Sequence, residues 1–140
     1  MIITVVQQGR LRDPAVEGMR DEYAKRFGRF GKLHLVEREP KGTGTLWPEA
    51  ARWRVVCDER GDRLVSTAFA DKLRAWTMAH GHVAFLVGAA EGLHQPSRDA
   101  AQAAIRLSDF TLPHQLAHLL LVEQLYRAAT LLAGHPYHKP

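Results

Sequence analysis

One stretch decides how this chain folds: Val83-Ala84-Phe85-Leu86-Val87-Gly88-Ala89-Ala90-Glu91-Gly92-Leu93. Around it, from position 82 to position 87, the sequence shows no polar alternation, which is typical of a strand covered on both faces. Two glycines then flank a carboxylate and indicate a tight backbone passage, where a side chain would clash with the chain or with a ligand. An ordinary β–α turn accounts for these glycines equally well. The stretch therefore predicts a buried strand that ends in either a ligand loop or a plain turn.

Outward from this strand, helices and strands alternate along the chain. We predict strands at 2–7, 33–39, 53–57, 82–87 and 105–107, and helices at 14–30, 46–52, 66–79, 95–104 and 113–133. Asp13 and Pro14 predict the start of the first helix, and Gly134 predicts the end of the last one. Such alternation favours an α/β fold with an open, mostly parallel sheet and helices on both faces. Ligands in these sheets bind at the carboxyl ends of the strands.

Length and composition place the chain among ordinary globular proteins. The 140 residues make about one domain, expected to span residues 1–140, and 46% of them are hydrophobic. No apolar run approaches the ~20 residues that span a bilayer, and the N terminus lacks the pattern of a signal peptide. Cys57 is the single cysteine, so no internal disulfide is possible. We therefore expect a cytoplasmic protein with no membrane partner.

Charge permits, but does not specify, a nucleic-acid partner. The formal net charge is +4, and eight histidines add to it when protonated. Lysine and arginine displace the counterions condensed on phosphates, so such a chain can bind a polyanion. Many proteins with other functions carry a similar excess of positive charge.

Three strand ends are candidate ligand loops. The loop at 8–12 lacks the Gly-x-Gly-x-x-Gly pattern, and no Gly-Lys-Ser/Thr phosphate loop occurs anywhere in the chain. Common nucleotide-cofactor folds are therefore disfavoured. The second candidate is the glycine loop at 88–93. The third, at 107–114, is long for a connection and offers many backbone donors and acceptors before the last helix.

Several motifs in the C-terminal half occur together in the order of one family. These are Val83-Ala84-Phe85-Leu86-Val87-Gly88 with Glu91-Gly92-Leu93, Leu107-Ser108 with Thr111-Leu112-Pro113-His114, Glu123-Gln124-Leu125-Tyr126-Arg127-Ala128, and His135-Pro136-Tyr137-His138. With them, the chain resembles the bacterial ribosomal large-subunit pseudouridine N3-methyltransferases of the SPOUT superfamily. The resemblance is close over roughly the last sixty residues and looser in the first strand and helix. Co-ordered motifs are far more specific than a single glycine loop.

The resemblance implies a fold, a reaction and a methyl-donor site. The fold is a SPOUT-type trefoil knot, one of the rare exceptions to the rule against knots. The reaction is the S-adenosylmethionine-dependent methylation of N3 of a pseudouridine in 23S rRNA, on the large subunit or the assembled ribosome, by a homodimer. By position, the donor contacts are Cys57, Gly88, Leu107, Ser108, Asp109, Phe110, Thr111 and Leu112. Two departures stand out, because Ala89 replaces a usual glycine and the segment 41–52 is short.

Residues for the chemistry and for RNA follow from the same resemblance. A sulfonium methyl group is already activated, so a methyltransferase mainly has to position a nucleophile and favour its anion. Of the candidates Glu91, His114, Arg127, His135, Tyr137 and His138, we predict His138, Tyr137 and Arg127 as catalytic. We predict Arg10, Arg12, Arg26, Arg29 and His135 as RNA-binding, and no metal.

Plainer interpretations of these residues stay open. Glu123 and Arg127 are four apart on a helix and suit a surface pair, and Cys57 alone suits a small buried hydrophobe. His114 after Pro113 suits a hydrogen-bonding group at the start of a helix. The best alternative function is a noncatalytic RNA- or ribosome-binding module with a SPOUT-like fold, motivated only by Ala89. The many apolar residues of the last helix favour a partner helix, as in a homodimer.

Overall fold

A computed structural model describes residues 1–140. The strands are β1 (Ile2–Gln8), β2 (Lys32–Arg38), β3 (Trp53–Arg63), β4 (His82–Val87) and β5 (Ala103–Arg106). They form one sheet in the order β2-β1-β4-β3-β5, and every neighbouring pair is parallel. The helices are α1 (Pro14–Phe27), α2 (Ser66–His80), α3 (Gln95–Asp99) and α4 (His114–Leu132). The predicted parallel α/β sheet is confirmed, whereas the knot stays a prediction.

The central strand β4 is buried on both faces, as its sequence predicts. Its residues 83–87 are at most 2% exposed. Successive side chains of a strand point to opposite faces of the sheet. On one face Val83 and Phe85 join a core with residues of α2 and α4, and α4 packs between α1 and α2. On the other face Ala84 and Leu86 join a smaller core.

The smaller core is closed by a segment that the sequence predicts as a short helix, and that prediction is wrong. Residues 46–52 form turns, and Trp47 precedes a proline, which disfavours helical backbone at that residue. The segment is attached to α3 instead, because the Leu46 N–H donates to Ser97 Oγ at 2.8 Å and Trp47 Nε1–H donates to the Ser97 carbonyl at 2.7 Å. Helices therefore lie on both faces, but one face has only the five residues of α3.

Two element boundaries differ from prediction because of pairing between strands. The helix expected to end at 104 ends at Asp99, since Ala103 and Ala104 pair with β3 as part of β5. The strand expected to end at Cys57 continues to Arg63 through a register shift. In the shifted part Gly61 lies against the backbone of β5, where a Cβ atom would be 2.6 Å from the Ile105 nitrogen. Both ends of the predicted α4 are confirmed to within a residue.

The helix ends agree with local chemistry. Asp13 caps α1, because its carboxylate accepts a hydrogen bond from the Ala15 N–H at 2.9 Å. Beyond the C-cap Ala133, Gly134 has a φ of 71° that ends the last helix, as predicted. None of the four helices combines the length and the apolar surface that crossing a membrane requires.

Candidate functional site

The register of the sheet brings three predicted donor contacts to one edge. At the carboxyl end, Gln7 of β1 pairs with Val87 of β4, which pairs with Cys57 of β3, and Cys57 pairs with Ile105 of β5. Gly88 is the next residue after Val87, and the 107–112 segment begins two residues after Ile105. The edge thus gathers predicted contacts from three adjacent strands, β4, β3 and β5.

Cys57 has the chemistry of an apolar contact rather than of a nucleophile. It packs against the larger core, and burial raises the pKa of its thiol to about 12, with a smaller contribution from the negative charge of Asp58. The thiol therefore stays protonated and uncharged at neutral pH. A neutral thiol has little tendency to be alkylated by an activated methyl group.

The loop after β4 is tight, as the two glycines predict. A Cβ atom at Gly88 would be 3.2 Å from Leu93 Cδ2, and Gly92 has a φ of 102° that favours glycine. The Gly92 N–H donates to the Ala89 carbonyl at 2.9 Å and closes the turn. No residue other than glycine has a positive φ, so Ala89 takes an ordinary backbone conformation. The alanine therefore requires no change in the path of this loop.

Two glutamines at the end of β1 bind the backbone of this loop, and neither was predicted from the sequence as a site residue. The Gln7 side-chain amide donates to the carbonyls of Gln8 at 2.9 Å, Gly88 at 3.3 Å and Val87 at 3.4 Å. The Gln8 amide donates to the Gly92 carbonyl at 2.9 Å, and its oxygen accepts from the His94 N–H at 2.8 Å. A signal was present in the sequence, because two adjacent glutamines end a strand whose other residues are all β-branched.

His118 of α4 completes this arrangement. It is 1% exposed, and its Nδ1 lies 3.1 Å from Gln7 Oε1. Since the Gln7 nitrogen donates to backbone carbonyls, its oxygen faces His118, and Nδ1 carries the imidazole proton. Burial, with a smaller effect of the positive charge of Arg20, lowers the pKa of His118 to about 4. The imidazole is therefore neutral, and its Nε2 is buried without a hydrogen-bond partner.

This buried histidine makes stability depend on pH. The pKa of His118 is about 4 in the folded chain and about 6.5 when unfolded, so the unfolded chain binds the extra proton between these values. The stability that the neutral His118 contributes is present above pH 6.5 and is lost as the pH falls toward 4. We expect wild type to lose roughly 3 kcal/mol more than His118→Asn over this interval. Urea unfolding at several pH values measures the difference, and parallel curves for the two proteins contradict it.

The segment 107–112 is held by one internal hydrogen bond and by ion pairs to β3 and β5. The Phe110 N–H donates to Ser108 Oγ at 2.9 Å, and Asp109 forms ion pairs with Arg63 at 2.5 Å and Arg106 at 3.5 Å. The Phe110 ring is 84% exposed, an unusual position for a large apolar side chain. The segment thus offers an ordered backbone and an uncovered aromatic ring.

A cavity of about 330 Å³ adjoins this segment on the α2–α4 side of the sheet. It is lined mostly by apolar side chains: Leu64, Val65, Ser66, Phe69, Ile105, Arg106, Leu107, Leu120, Leu121 and Gln124. Leu107 alone among the eight predicted donor contacts lines it. Within the cavity, the Ser66 hydroxyl donates to Gln124 Oε1 at 2.7 Å, and the Gln124 amide donates to Glu123 Oε2 at 2.9 Å.

The predicted catalytic residues meet around Glu123. Arg127 Nε–H donates to Glu123 Oε1 at 3.0 Å, and the Tyr137 hydroxyl donates to the same oxygen at 3.1 Å. The guanidinium carbon of Arg127 lies 4.9 Å from the centre of the Tyr137 ring, and its Nη1 lies 3.0 Å from His138 Nδ1. Burial raises the pKa of Tyr137 above its usual range, with hydrogen bonding to Tyr23 and the charge of Glu123 adding to it. Tyr137 therefore stays protonated.

This geometry also determines the tautomer of His138. A guanidinium only donates hydrogen bonds, so His138 Nδ1 accepts from Arg127, and the proton of the neutral ring is on Nε2. His138 thus presents an N–H donor on its outer side. His135 is held apart from this group, because its backbone N–H donates to the Thr130 carbonyl and its ring lies 6.1 Å from the ring of Phe30. No three His, Cys, Asp or Glu side chains are grouped as ligands for a metal ion.

The four arginines predicted to bind RNA lie near opposite ends of α1. Arg10 and Arg12 are exposed in the loop after β1, at the carboxyl edge of the sheet. Arg26 lies in the last turn of the 14-residue helix α1 and Arg29 two residues beyond it, roughly 20 Å from the start of the helix at the rise of an α-helix. Arg26 pairs with Glu22 at 3.0 Å. One chain does not bring the four side chains together.

Fold and site together define a small parallel α/β protein whose candidate ligand loops follow three adjacent strands. A sequence model of one family, described as a predicted SPOUT methyltransferase, matches residues 1–138. The chain belongs to the SPOUT methyltransferase family.

Relatives agree with this membership over nearly the whole chain. The protein named ribosomal RNA large subunit methyltransferase H of Anaeromyxobacter sp. (strain Fw109-5) is 43% identical over 153 residues, covering 99% of this chain and 100% of the relative. Its namesake in Verminephrobacter eiseniae (strain EF01-2) is 46% identical, covering 85% and 86%. A solved structure of a probable methylase family protein from Haemophilus influenzae Rd KW20 has the same fold, with a TM-score of 0.59 at 14% identity. It covers 99% of this chain and 70% of the other.

Proposed function

We propose that this chain is an S-adenosylmethionine-dependent methyltransferase that modifies N3 of a pseudouridine in the 23S rRNA of the large ribosomal subunit. The observation that carries the proposal is the meeting of Cys57, Gly88 and the 107–112 segment at one edge of the sheet. Relatives of 43% and 46% identity named ribosomal RNA large subunit methyltransferase H support the substrate class. The choice of pseudouridine as the target nucleotide is inferred from the C-terminal motifs that resemble those of the pseudouridine N3-methyltransferases. Residues 1–140 act as one methyltransferase domain, and its place is the cytoplasm.

The donor site has the chemistry that S-adenosylmethionine needs. Gly88 and the backbone of 107–112 offer hydrogen bonds to the adenine edge, and Leu107, Phe110 and Leu112 offer apolar surface. The donor supplies a methyl group on a sulfonium, which is activated without help from the protein. Cys57 sits beside this position as a protonated thiol, so the site holds no thiolate that would compete for the methyl group.

The cluster of Glu123, Arg127, Tyr137 and His138 has the chemistry to favour the anionic form of the nucleophile. N3 of pseudouridine attacks well only after its proton has passed to water, because the anion that remains carries negative charge on the flanking carbonyl oxygens. The guanidinium of Arg127, which is paired with Glu123, and the Nε2–H of His138 present hydrogen-bond donors to that anion and together stabilise it. Because Nδ1 of His138 is already used, this histidine acts as a donor here and not as the base. Tyr137 holds Glu123 and offers a ring against which a base can stack.

The alternative of a noncatalytic RNA-binding module has lost its motivation. It depended on Ala89 in place of a glycine, and Ala89 takes a backbone conformation open to any residue. No other feature of the site favours it.

Calorimetry and nucleoside analysis test the proposed function. The full chain is titrated with S-adenosylmethionine and then incubated with large subunits and ribosomes from a strain that lacks the protein. We expect donor binding, and N3-methylpseudouridine by mass spectrometry of the digested 23S rRNA. Absence of donor binding contradicts the methyltransferase assignment. A methyl group on another nucleotide contradicts only the pseudouridine assignment.

We also propose that the active form is a homodimer. Leu116 of α4 is 47% exposed and Met19 of α1 is 53% exposed, so each of these two packed helices leaves a large apolar side chain uncovered. Pairing of two chains would also let Arg26, Arg29 and His135 of one chain act with Arg10 and Arg12 of the other. Sedimentation at micromolar concentration should give twice the chain mass of 15.7 kDa. Leu116→Glu should shift it to the monomer, and a wild-type monomer would rule the dimer out.

A further inference from the structure

The link between Gln7 and His118 is the feature that the proposed chemistry leaves unexplained. Both side chains are almost fully buried, Gln7 at 0% and His118 at 1% exposure. Burying a polar group is costly unless it is hydrogen-bonded. A wholly apolar pair would fill this space without that cost, so the polar pair calls for a reason beyond packing.

The Gln7 amide holds the backbone where the donor loop leaves the sheet. Its nitrogen reaches the carbonyl oxygens of Val87 and Gly88, the last residue of β4 and the first of the loop. Peptide groups are planar, and the chain has no cis peptide. Holding the Gly88 carbonyl toward Gln7 therefore turns the Ala89 N–H in the opposite direction. The direction in which the loop starts is thus set from β1.

His118 in turn keeps the Gln7 amide in this orientation. Its Nδ1–H bonds to Gln7 Oε1, and the reverse orientation of the amide would place that oxygen against several backbone carbonyl oxygens. The imidazole is neutral and its Nε2 makes no hydrogen bond. The single hydrogen bond that the His118 side chain makes is therefore the one to Gln7. In this way α4 and the donor loop, which follow different strands, are joined through the end of β1.

We propose that Gln7 and His118 are positioning residues that hold the Val87–Gly88 backbone in its donor-binding geometry. This inference rests on the proposed function, since it assigns the held loop to the methyl donor. Neither residue contacts the reacting atoms. They act through the loop, so their loss lowers donor affinity and loosens the loop rather than altering the chemical step.

Three variants and one control test this role. Gln7→Leu removes the three amide bonds, and His118→Phe removes the N–H while keeping an aromatic ring. His118→Asn restores a donor, because its amide nitrogen takes nearly the position of Nδ1. The control Thr4→Val removes a buried hydroxyl that bonds His82 Nε2 at 2.7 Å, at the other end of the same strand. Donor affinity is measured by calorimetry, and loop opening by hydrogen–deuterium exchange over 88–94 without donor.

We expect Gln7→Leu and His118→Phe to weaken S-adenosylmethionine binding about tenfold and to speed exchange over 88–94. His118→Asn and Thr4→Val should stay near wild type in both measurements. Unchanged affinity and exchange in His118→Phe would overturn the inference, even if Gln7→Leu failed to fold. Equal damage from His118→Asn would also overturn it, since the hydrogen bond would then be irrelevant. If wild type binds no donor, the proposed function fails, and the exchange data still decide whether the pair holds the loop.

Discussion

Gly61→Ala is expected to destabilise the chain by about 3 kcal/mol or more, because the new methyl group would overlap the backbone of β5. A Cβ atom at this position lies 2.6 Å from both the nitrogen and the carbonyl carbon of Ile105. The backbone of β5 is paired with β3 and cannot give way as a flexible side chain can. Relief of the overlap must displace β5, and with it the 107–112 segment. Thermal unfolding should therefore shift downward by roughly 10 °C, and donor affinity should fall with it.

Gly18→Ala is the matched control for this variant. Gly18 is exposed within α1, and a Cβ atom there meets nothing within 4 Å. The same chemical change should stabilise the chain by about 0.5–1 kcal/mol, because alanine favours a helix over glycine. If Gly61→Ala were as stable as wild type, the close approach of the two backbones would be wrong.

Removal of residues 135–140 is expected to lower methyl transfer by about a hundredfold or more while donor affinity stays near wild type. The truncation removes Tyr137 and His138 from Arg127 and Glu123. It touches neither Gly88 nor the 107–112 segment. The Tyr137 ring does pack on Tyr126, at 4.6 Å between centroids, so stability is measured in parallel with single-turnover methylation.

Two further proteins separate the contributions of the tail. Removing only Lys139 and Pro140, which are exposed, should leave methylation near wild type. His138→Gln retains a donor close to the position of Nε2 and should keep more activity than His138→Ala. Full activity of the six-residue truncation would rule out a role for the tail in catalysis.

The parts of the fold that depend on local pattern were predictable from the sequence. Apolar continuity located β4, and Asp13 with Pro14 and Gly134 located helix ends, because caps and positive φ act within a few residues. The failures lie where distant segments meet. Residues 46–52 are not helical because Ser97 binds the start of this segment. Strand β3 continues beyond Cys57 because, after a register shift, it pairs with β5 a second time.

In the candidate site, too, features that depend on local pattern were predictable and features that depend on distant contacts were not. Order of motifs indicated Gly88, the 107–112 segment and the His135–His138 tail, since these are short stretches with distinctive residues. The Gln7–His118 link was not predictable, because its members are 111 residues apart and neither residue alone indicates the other as its partner. Nor did the sequence indicate that the Nδ1 atom of His138 faces Arg127, which makes this histidine a donor.

By itself, then, the sequence determined the parallel α/β sheet, its buried central strand and the segments that form the candidate ligand edge. Hydrophobic periodicity, caps and glycines are local signals, and they act whatever the rest of the chain does. Only the tertiary structure decided which polar groups share a hydrogen bond, which histidine is neutral and which arginines lie apart. Those outcomes depend on burial and on contacts between residues far apart in the chain, and a buried polar group takes whatever partner the fold brings to it.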